Sequence, residues 1–202
     1  MVDDSAFPRL SRYLASLPRR FASYPECQTK GAVLRNVIDG LSTTRSPLPE
    51  ELSALVRSPP QFSDWIPEVY LWAMVLAQAD HQSLSEAAFI DWSFRYNRRL
   101  MEGPVYKFLF VMLSTETVLQ LAGIAFRSFH RGIDLVFDKS NEKGRCLFDL
   151  RFPPRLINVL CLRGLGTGFE ASLVVAKAPQ CKVVLEKASE TEARFLATWQ
   201  VG

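Results

Sequence analysis

The residues of greatest chemical reach in this 202-residue chain are two histidines, four cysteines and one glycine-rich run. His130 lies between Phe129 and Arg131, where a long helical pattern gives way to the first strand pattern, with Arg127 one helical turn earlier. An imidazole there can coordinate a metal such as haem iron, act as a base, or complement the carbonyl end of a helix as a cation, an effect worth about 0.3–1 kcal/mol. The helix-end role asks least of the surroundings and is the expectation, as it is for His81 after Asp80. Cys27, Cys146, Cys161 and Cys181 are far apart in sequence and form no Cys-x-x-Cys pair. With only two imidazoles beside them, no zinc site of ordinary spacing is expected, and the cysteines read as structural thiols of a reducing compartment. Gly164-Leu165-Gly166-Thr167-Gly168 could bring backbone amides close to a phosphate. A dinucleotide fingerprint, however, needs a strand before it and a helix after it, and a Walker loop needs Gly-Lys-Ser/Thr. The segment before these glycines reads as helix, so a loop between two helical pieces is expected and nucleotide chemistry ranks third among the readings. Neither a Gly-x-Ser-x-Gly elbow nor a Cys–His–carboxylate pattern occurs. The acidic residues Asp134, Asp138, Asp149, Glu186, Glu190 and Glu192 fall on strand faces and turns, where solvated carboxylates are common. No catalytic set, no cofactor site and no metal site is therefore expected.

The elements that would position these residues follow from the apolar periodicity. Phe7 to Phe21 carries Leu10, Tyr13, Leu14 and Leu17 at helical spacing, with Arg9, Arg12, Arg19 and Arg20 beside them. Such a basic amphipathic helix can lie on an anionic membrane surface, but packing on its own domain is the preferred reading. A second helix is predicted over Thr29 to Leu41 and a short one near Glu50 to Val56, between the turn clusters Ser42–Pro49 and Ser58-Pro59-Pro60. Ser63 is placed to cap a helix over Asp64 to Ala79, whose run Val69 to Ala77 has no charge on any face and so must be covered on several sides. Ser83-Leu84-Ser85-Glu86 has capping-box spacing and opens a helix on which Phe89, Trp92, Tyr96 and Leu100 share a face. On another face Asp91 with Arg95, and Arg98 with Glu102, stand at pairing distance. Helical stretches then cover Val105 to Leu113 and Ser114 or Thr115 to about Phe129.

After Gly132 the period changes to two. Ile133 to Asp138 and Arg145 to Phe152 read as a hairpin across the polar turn Lys139–Gly144, with Cys146, Phe148, Leu150 and Phe152 on the core side. Helical material from about Arg155 to Ala178 precedes two more strands, Cys181 to Lys187 and Glu192 to Trp199. The expected fold class is α+β: an N-terminal helical region packed with a C-terminal four-stranded, mainly antiparallel sheet of ββαββ order. Residues 1–60 are expected as a helical extension and 61–202 as the main domain, the two forming one compact body.

Composition narrows the function classes. The chain is 48% hydrophobic and 22% charged, which excludes disorder and fibrous repeats. Its net charge of +3, from 24 basic and 21 acidic residues, is spread along the chain and does not point to nucleic acid, whose binding needs a concentrated basic stripe. Lys107, Glu116 and Gln120 divide the most apolar window below membrane-spanning length, and the acidic N-terminus lacks a secretory profile. The expected location is the cytoplasm.

Several motifs carry a resemblance. Trp65-Ile66-Pro67-Glu68-Val69-Tyr70, Arg98-Arg99-Leu100-Met101-Glu102-Gly103, the helix from Ser114 to Phe129-His130-Arg131-Gly132, Phe169-Glu170-Ala171-Ser172-Leu173 and the strand ending at Trp199 resemble, in order and layout, a large paralogous family of unknown function found in myxobacteria. More remotely, helices followed by ββαββ resemble the haem-nitric-oxide-binding and 4-vinyl-reductase small-ligand domains. The Tyr-x-Ser-x-Arg motif by which haem-binding relatives hold propionates has no match, since Tyr96-Asn97-Arg98 does not supply it. The resemblance thus implies a fold and no known reaction. Two functions follow as expectations: a non-catalytic regulatory or signalling module that binds a protein partner or self-associates, and, as the alternative, a small-molecule sensor. In the sensor an apolar pocket between helices and sheet would be lined by Trp72, Trp92, Tyr96 and Tyr106, with Arg127 or His130 at its mouth.

Overall fold

A computed structural model describes residues 5–41, 48–103, 115–137 and 144–200. The predicted helix over Val105 to Leu113, Tyr106 and most of the Lys139–Gly144 turn lie outside the described residues.

The helical layer is organised by its most apolar member. Helix α4 (Glu68–His81) receives two shorter helices, α1 (Pro8–Ser16) and α2 (Gly31–Leu41), which both pack on it; α3 (Glu50–Arg57) packs on α2. Helix α4 buries Val69, Leu71, Trp72, Ala73, Met74, Leu76 and Ala77, as a helix without a polar face must. Leu10, Tyr13 and Leu14 of α1 are buried where that helix meets α4, so the apolar side of the basic N-terminal helix is occupied by its own domain. The N-terminus of α1 has no capping side chain of its own; instead Asp80, near the end of α4, accepts from the amides of Arg9 at 2.8 Å and Leu10 at 3.1 Å. The same carboxylate takes the Arg9 guanidinium at 3.2 Å, and that guanidinium also donates to the Ala79 and Leu84 carbonyls. One buried carboxylate therefore satisfies three donors. Asp80→Ala is expected to cost about 3 kcal/mol, because two helix-start amides and a half-buried cation lose their acceptor together. Urea unfolding checks this, and a loss below about 1 kcal/mol would mean that water replaces the carboxylate.

Helix α5 (Glu86–Glu102) is capped by Ser85, whose hydroxyl accepts from the Ala88 amide at 3.2 Å. The expected cap, Ser83, has φ +50° and belongs to the preceding turn. Arg98 and Glu102 pair at 2.8 Å as their spacing predicts. Helix α6 (Thr115–Phe129) leads into the short strand that carries His130.

Three short strands that the periodicity does not announce form a small antiparallel sheet. They are β1 (Gln28–Lys30), β2 (Trp65–Pro67) and β3 (His130–Arg131), in the order β2-β1-β3. The predicted starts of two helices at Thr29 and Asp64 give way to strand, and α2 and α4 begin only at Gly31 and Glu68. Strands of two and three residues are too short to show an alternation, so only the pairing defines them.

The second sheet matches its expectation closely: β4 (Asp134–Phe137), β5 (Arg145–Arg151), β6 (Lys182–Ala188) and β7 (Glu192–Thr198) run antiparallel in the order β4-β5-β7-β6. Cys146, Phe148 and Leu150 of β5 point into the core with Ala193, Phe195 and Ala197 of β7. On the outer face Arg194 holds Asp149 through two bonds of 2.7 and 2.8 Å, which keeps that carboxyl below its usual range.

Helix α7 (Val159–Val175) corrects the expectation of a loop at Gly164–Gly168: the glycines sit inside one continuous helix capped by Asn158. Each glycine costs about 1 kcal/mol of helix propensity, and close packing on two sides offsets it. A Cβ at Gly164 would stand 3.1 Å from the Phe89 ring of α5, and one at Gly166 would stand 3.2 Å from the Phe195 ring of β7. Thr167 donates to the Gly164 carbonyl and accepts from Asn97 of α5 at 3.1 Å. The helix ends on Lys177, which takes the left-handed conformation usual for glycine (φ +62°), while the Ala178 amide reaches back to Leu173. A single buried cluster extends from Phe7 and Leu10 through α4 to Phe195 and Ala197.

Candidate functional site

The small sheet delivers two ionisable side chains to one buried point. Strand alternation turns His130 inward and Arg131 outward, and the register sets His130 beside Thr29 of β1. Pro67 ends β2 and makes Glu68 the first residue of α4, its amide donating to the Cys27 carbonyl at 2.8 Å. Glu68 is 0% exposed and His130 9%. Their side chains meet, with Nδ1 of His130 at 3.2 and 3.3 Å from the two Glu68 carboxylate oxygens. A carboxylate only accepts, so Nδ1 carries the proton and donates. The imidazole also stacks on Phe126 of α6, centroids 4.3 Å apart and planes 19° apart. His130 is thus no solvated cation at a helix end: it ties the exit of α6 to the entrance of α4.

The surroundings are apolar with a few polar atoms set into them. Cys27 donates its thiol to the Gly132 carbonyl at 3.2 Å. Gly132 is in the left-handed region at φ +71°, and a Cβ there would stand 2.8 Å from the Cys27 sulfur, so glycine is required twice over. Tyr13 of α1 donates to the Leu156 carbonyl at 2.8 Å; burial first, then its neighbours Cys161 and Glu68, pushes its phenol well up. Burial first, then Glu26 and Glu68, pushes the Cys27 thiol up to about 12, and burial alone raises Cys161 further. The Thr29 hydroxyl and the Trp72 indole N–H are buried with no hydrogen-bond partner among the described residues. At pH 8 neither Cys27 nor Cys161 is expected to react with a disulfide reagent in the native protein, whereas all four thiols react once it is unfolded. Because the folded thiols hold protons that unfolded ones release near pH 8.5, their contribution to stability is complete below that value and falls as pH rises beyond it. Labelling of Cys27 within minutes of mixing would contradict the burial.

Of the residues that the sequence singles out, Trp72 lies one helical turn from Glu68 on α4 and is 5% exposed. Trp92 and Tyr96 are half-buried on α5, stacked on one another at 5.4 Å. Arg127 is exposed on α6, and Tyr106 lies outside the described residues. The structure therefore brings His130 near α4 and leaves Trp92 and Tyr96 on a different helix. Sequence reasoning passes over Glu68, Thr29 and Cys27 as site residues. Glu68 carries little signal of its own, because a carboxylate in the first turn of a helix is ordinarily solvated and favoured there by the helix dipole.

No family model and no curated protein matches the chain. Solved structures do match over most of its length. The Fe(II) unliganded H-NOX protein from K. algicida superposes with a TM-score of 0.55 at 11% identity, covering 86% of this chain and 97% of that one. A variant of the Tt H-NOX gives 0.58 at 10% identity, covering 85% and 95%. An oxygen-binding H-NOX domain related to soluble guanylate cyclases gives 0.57 at 9%, covering 85% and 93%. The chain has the H-NOX fold. At such identities the likeness is one of architecture alone.

Some of these H-NOX structures are described in terms of Fe(II) and heme, which makes haem the group to weigh against the described residues. The donor chemistry is suitable: an imidazole whose Nδ1–H is held by a carboxylate is a good metal ligand through Nε2. The space is not. Between α7 and the four-stranded sheet, Phe148 stacks on Phe195 at 5.2 Å and Phe169 stands edge-on to both, at 4.6 and 5.6 Å. Phe126 continues the cluster to His130, and Gly166 is pressed on Phe195. Between α7 and the four-stranded sheet, the described residues leave no room for a porphyrin. They also include no group of three or more His, Cys, Asp or Glu placed to hold a metal ion, and none of their helices is long and apolar enough to cross a membrane.

Proposed function

We propose that this chain is a non-catalytic sensor domain of H-NOX architecture whose ligand is a small apolar molecule other than haem. The observation that carries the reading is the extent of the fold match, 84–86% of this chain against 93–97% of each neighbour with a TM-score above one half. One of those neighbours binds oxygen, and a shared architecture supports a shared kind of task, the holding of a small molecule in an aromatic interior. Such a molecule would border the aromatic cluster of Phe126, Phe148 and Phe169, whose rings already pack against one another. Glu68 and His130 serve this reading as a joint: they bond a helix on one side of the core to the strand that follows α6 on the other. A ligand that moves α6 would be felt at α4.

The test is a titration of the purified protein with hemin and, separately, a thermal-shift series with small aromatic and aliphatic molecules. Hemin is expected to give no stoichiometric complex dependent on His130. At least one apolar compound is expected to raise the melting temperature, with apparent stability rising by about 2.7 kcal/mol at a hundredfold excess over its Kd. A hemin complex of one to one that His130→Ala abolishes would make the chain a haem protein and overturn the ligand class.

A further inference from the structure

We infer that the outer face of the β2-β1-β3 sheet is a docking surface for a short acidic segment of a partner protein. Lys30 and Arg131 both lie on the ring of Trp65, Nζ at 4.0 Å and Cζ at 3.7 Å from its centroid, and Arg35 lies on the ring of Phe62 at 4.9 Å. The two groups are contiguous. Gly31 and Ala32, between Lys30 and Arg35, donate to the carbonyls of Asp64 and Phe62, and Lys30 donates to the Ser63 carbonyl at 2.7 Å. Phe62 is 66% exposed, the most exposed large apolar side chain among the described residues.

The cations of this face are held by aromatic rings. Arg9, Arg57, Arg98, Arg155, Arg163, Lys182, Lys187 and Arg194 each rest on a carboxylate. Lys30, Arg35 and Arg131 make no ion pair among the described residues, which is also true of Arg95, Arg99 and Arg127; what distinguishes this face is that one indole ring holds two cations. Aromatic faces orient the cations without neutralising them, so both keep their charge for an anionic partner. Guanidinium groups suit carboxylates through paired N–H donors, and an exposed Phe62 beside them offers an apolar anchor of the kind found at the centre of protein interfaces. Glu26 and Asp64 border the patch; they would repel a long polyanion, which favours a short peptide over nucleic acid. This surface stands apart from the sensor reading, since neither its charges nor its rings belong to the aromatic cluster of the core.

Fluorescence anisotropy of a rhodamine-labelled hexapeptide of alternating Glu and Asp, titrated with the full chain at low salt, tests the inference. Saturable binding is expected, weakened about threefold in Arg131→Gln and about tenfold in Lys30→Gln/Arg131→Gln, and unchanged in Arg57→Gln, whose charge is already paired with Glu50. Circular dichroism melting confirms that the variants stay folded; Arg131→Gln leaves the strand pairing in place and is the decisive one. Absence of saturable binding, a double variant that binds like the parent, or a six-nucleotide oligothymidine or phosphatidylserine vesicle that binds as tightly as the peptide would each overturn it.

Discussion

Replacement of His130 by alanine is expected to lower the free energy of unfolding by about 3–5 kcal/mol, the cost of leaving the buried Glu68 carboxylate without its hydrogen-bond donor. Glu68 has no exposed surface, and Nδ1 of His130 lies within hydrogen-bonding distance of both carboxylate oxygens. The loss also removes the ring that stacks on Phe126. A domain of this size has about 5–15 kcal/mol in all, so the variant would be marginal at ambient temperature. Two companions separate the causes. Glu68→Gln keeps an acceptor for the Nδ1 proton and should cost about 1 kcal/mol. Glu68→Leu/His130→Leu removes both polar groups and should recover most of the single-variant loss, because an apolar pair has no desolvation to repay. Urea unfolding of the three variants reads all these values. If alanine at 130 costs less than about 1 kcal/mol, Glu68 reaches water and the pair is not a buried joint.

Gly31→Ala is the second large effect, about 3 kcal/mol, at the upper end of overpacking costs. A Cβ at Gly31 would overlap the carbonyl oxygen of Gln61, and that carbonyl cannot retreat. It accepts from the Asp64 amide at 3.1 Å while the Asp64 side chain accepts from the Gln61 amide at 2.7 Å, and the Gly31 amide itself donates to the Asp64 carbonyl at 2.8 Å. The added methyl must push the start of α2 away from this turn. For a chain of about 200 residues the melting temperature should fall by roughly 6–12 °C, measured by circular dichroism. A fall below about 2 °C would show that the turn yields, and the approach of the two segments would then be looser than described.

Much of the architecture is written locally. The alternation in Arg145–Arg151 and Glu192–Thr198 fixes which side chains enter the core, because a strand's faces follow from a period of two. The chargeless run Val69–Ala77 likewise determines that α4 is central. Sequence could not announce β1, β2 and β3, which are too short for a period and exist through their partners. Nor could it show that the glycines of α7 are helical, since local propensity argues for a break and only the rings of Phe89 and Phe195 on either side argue against one.

The candidate site divides in the same way. From the chain alone came His130 as the imidazole of interest, and composition alone weighed against disorder and nucleic acid. Only the tertiary structure gave His130 its partner, because Glu68 is 62 residues away and a two-residue strand decides which way the ring turns. The convergence of Lys30 and Arg131 on Trp65 was equally hidden, since three residues distant in sequence meet through strand pairing. Local pattern encodes what each segment does by itself; the pairing of charges across a core depends on which segments pack together, and that is settled by the fold as a whole.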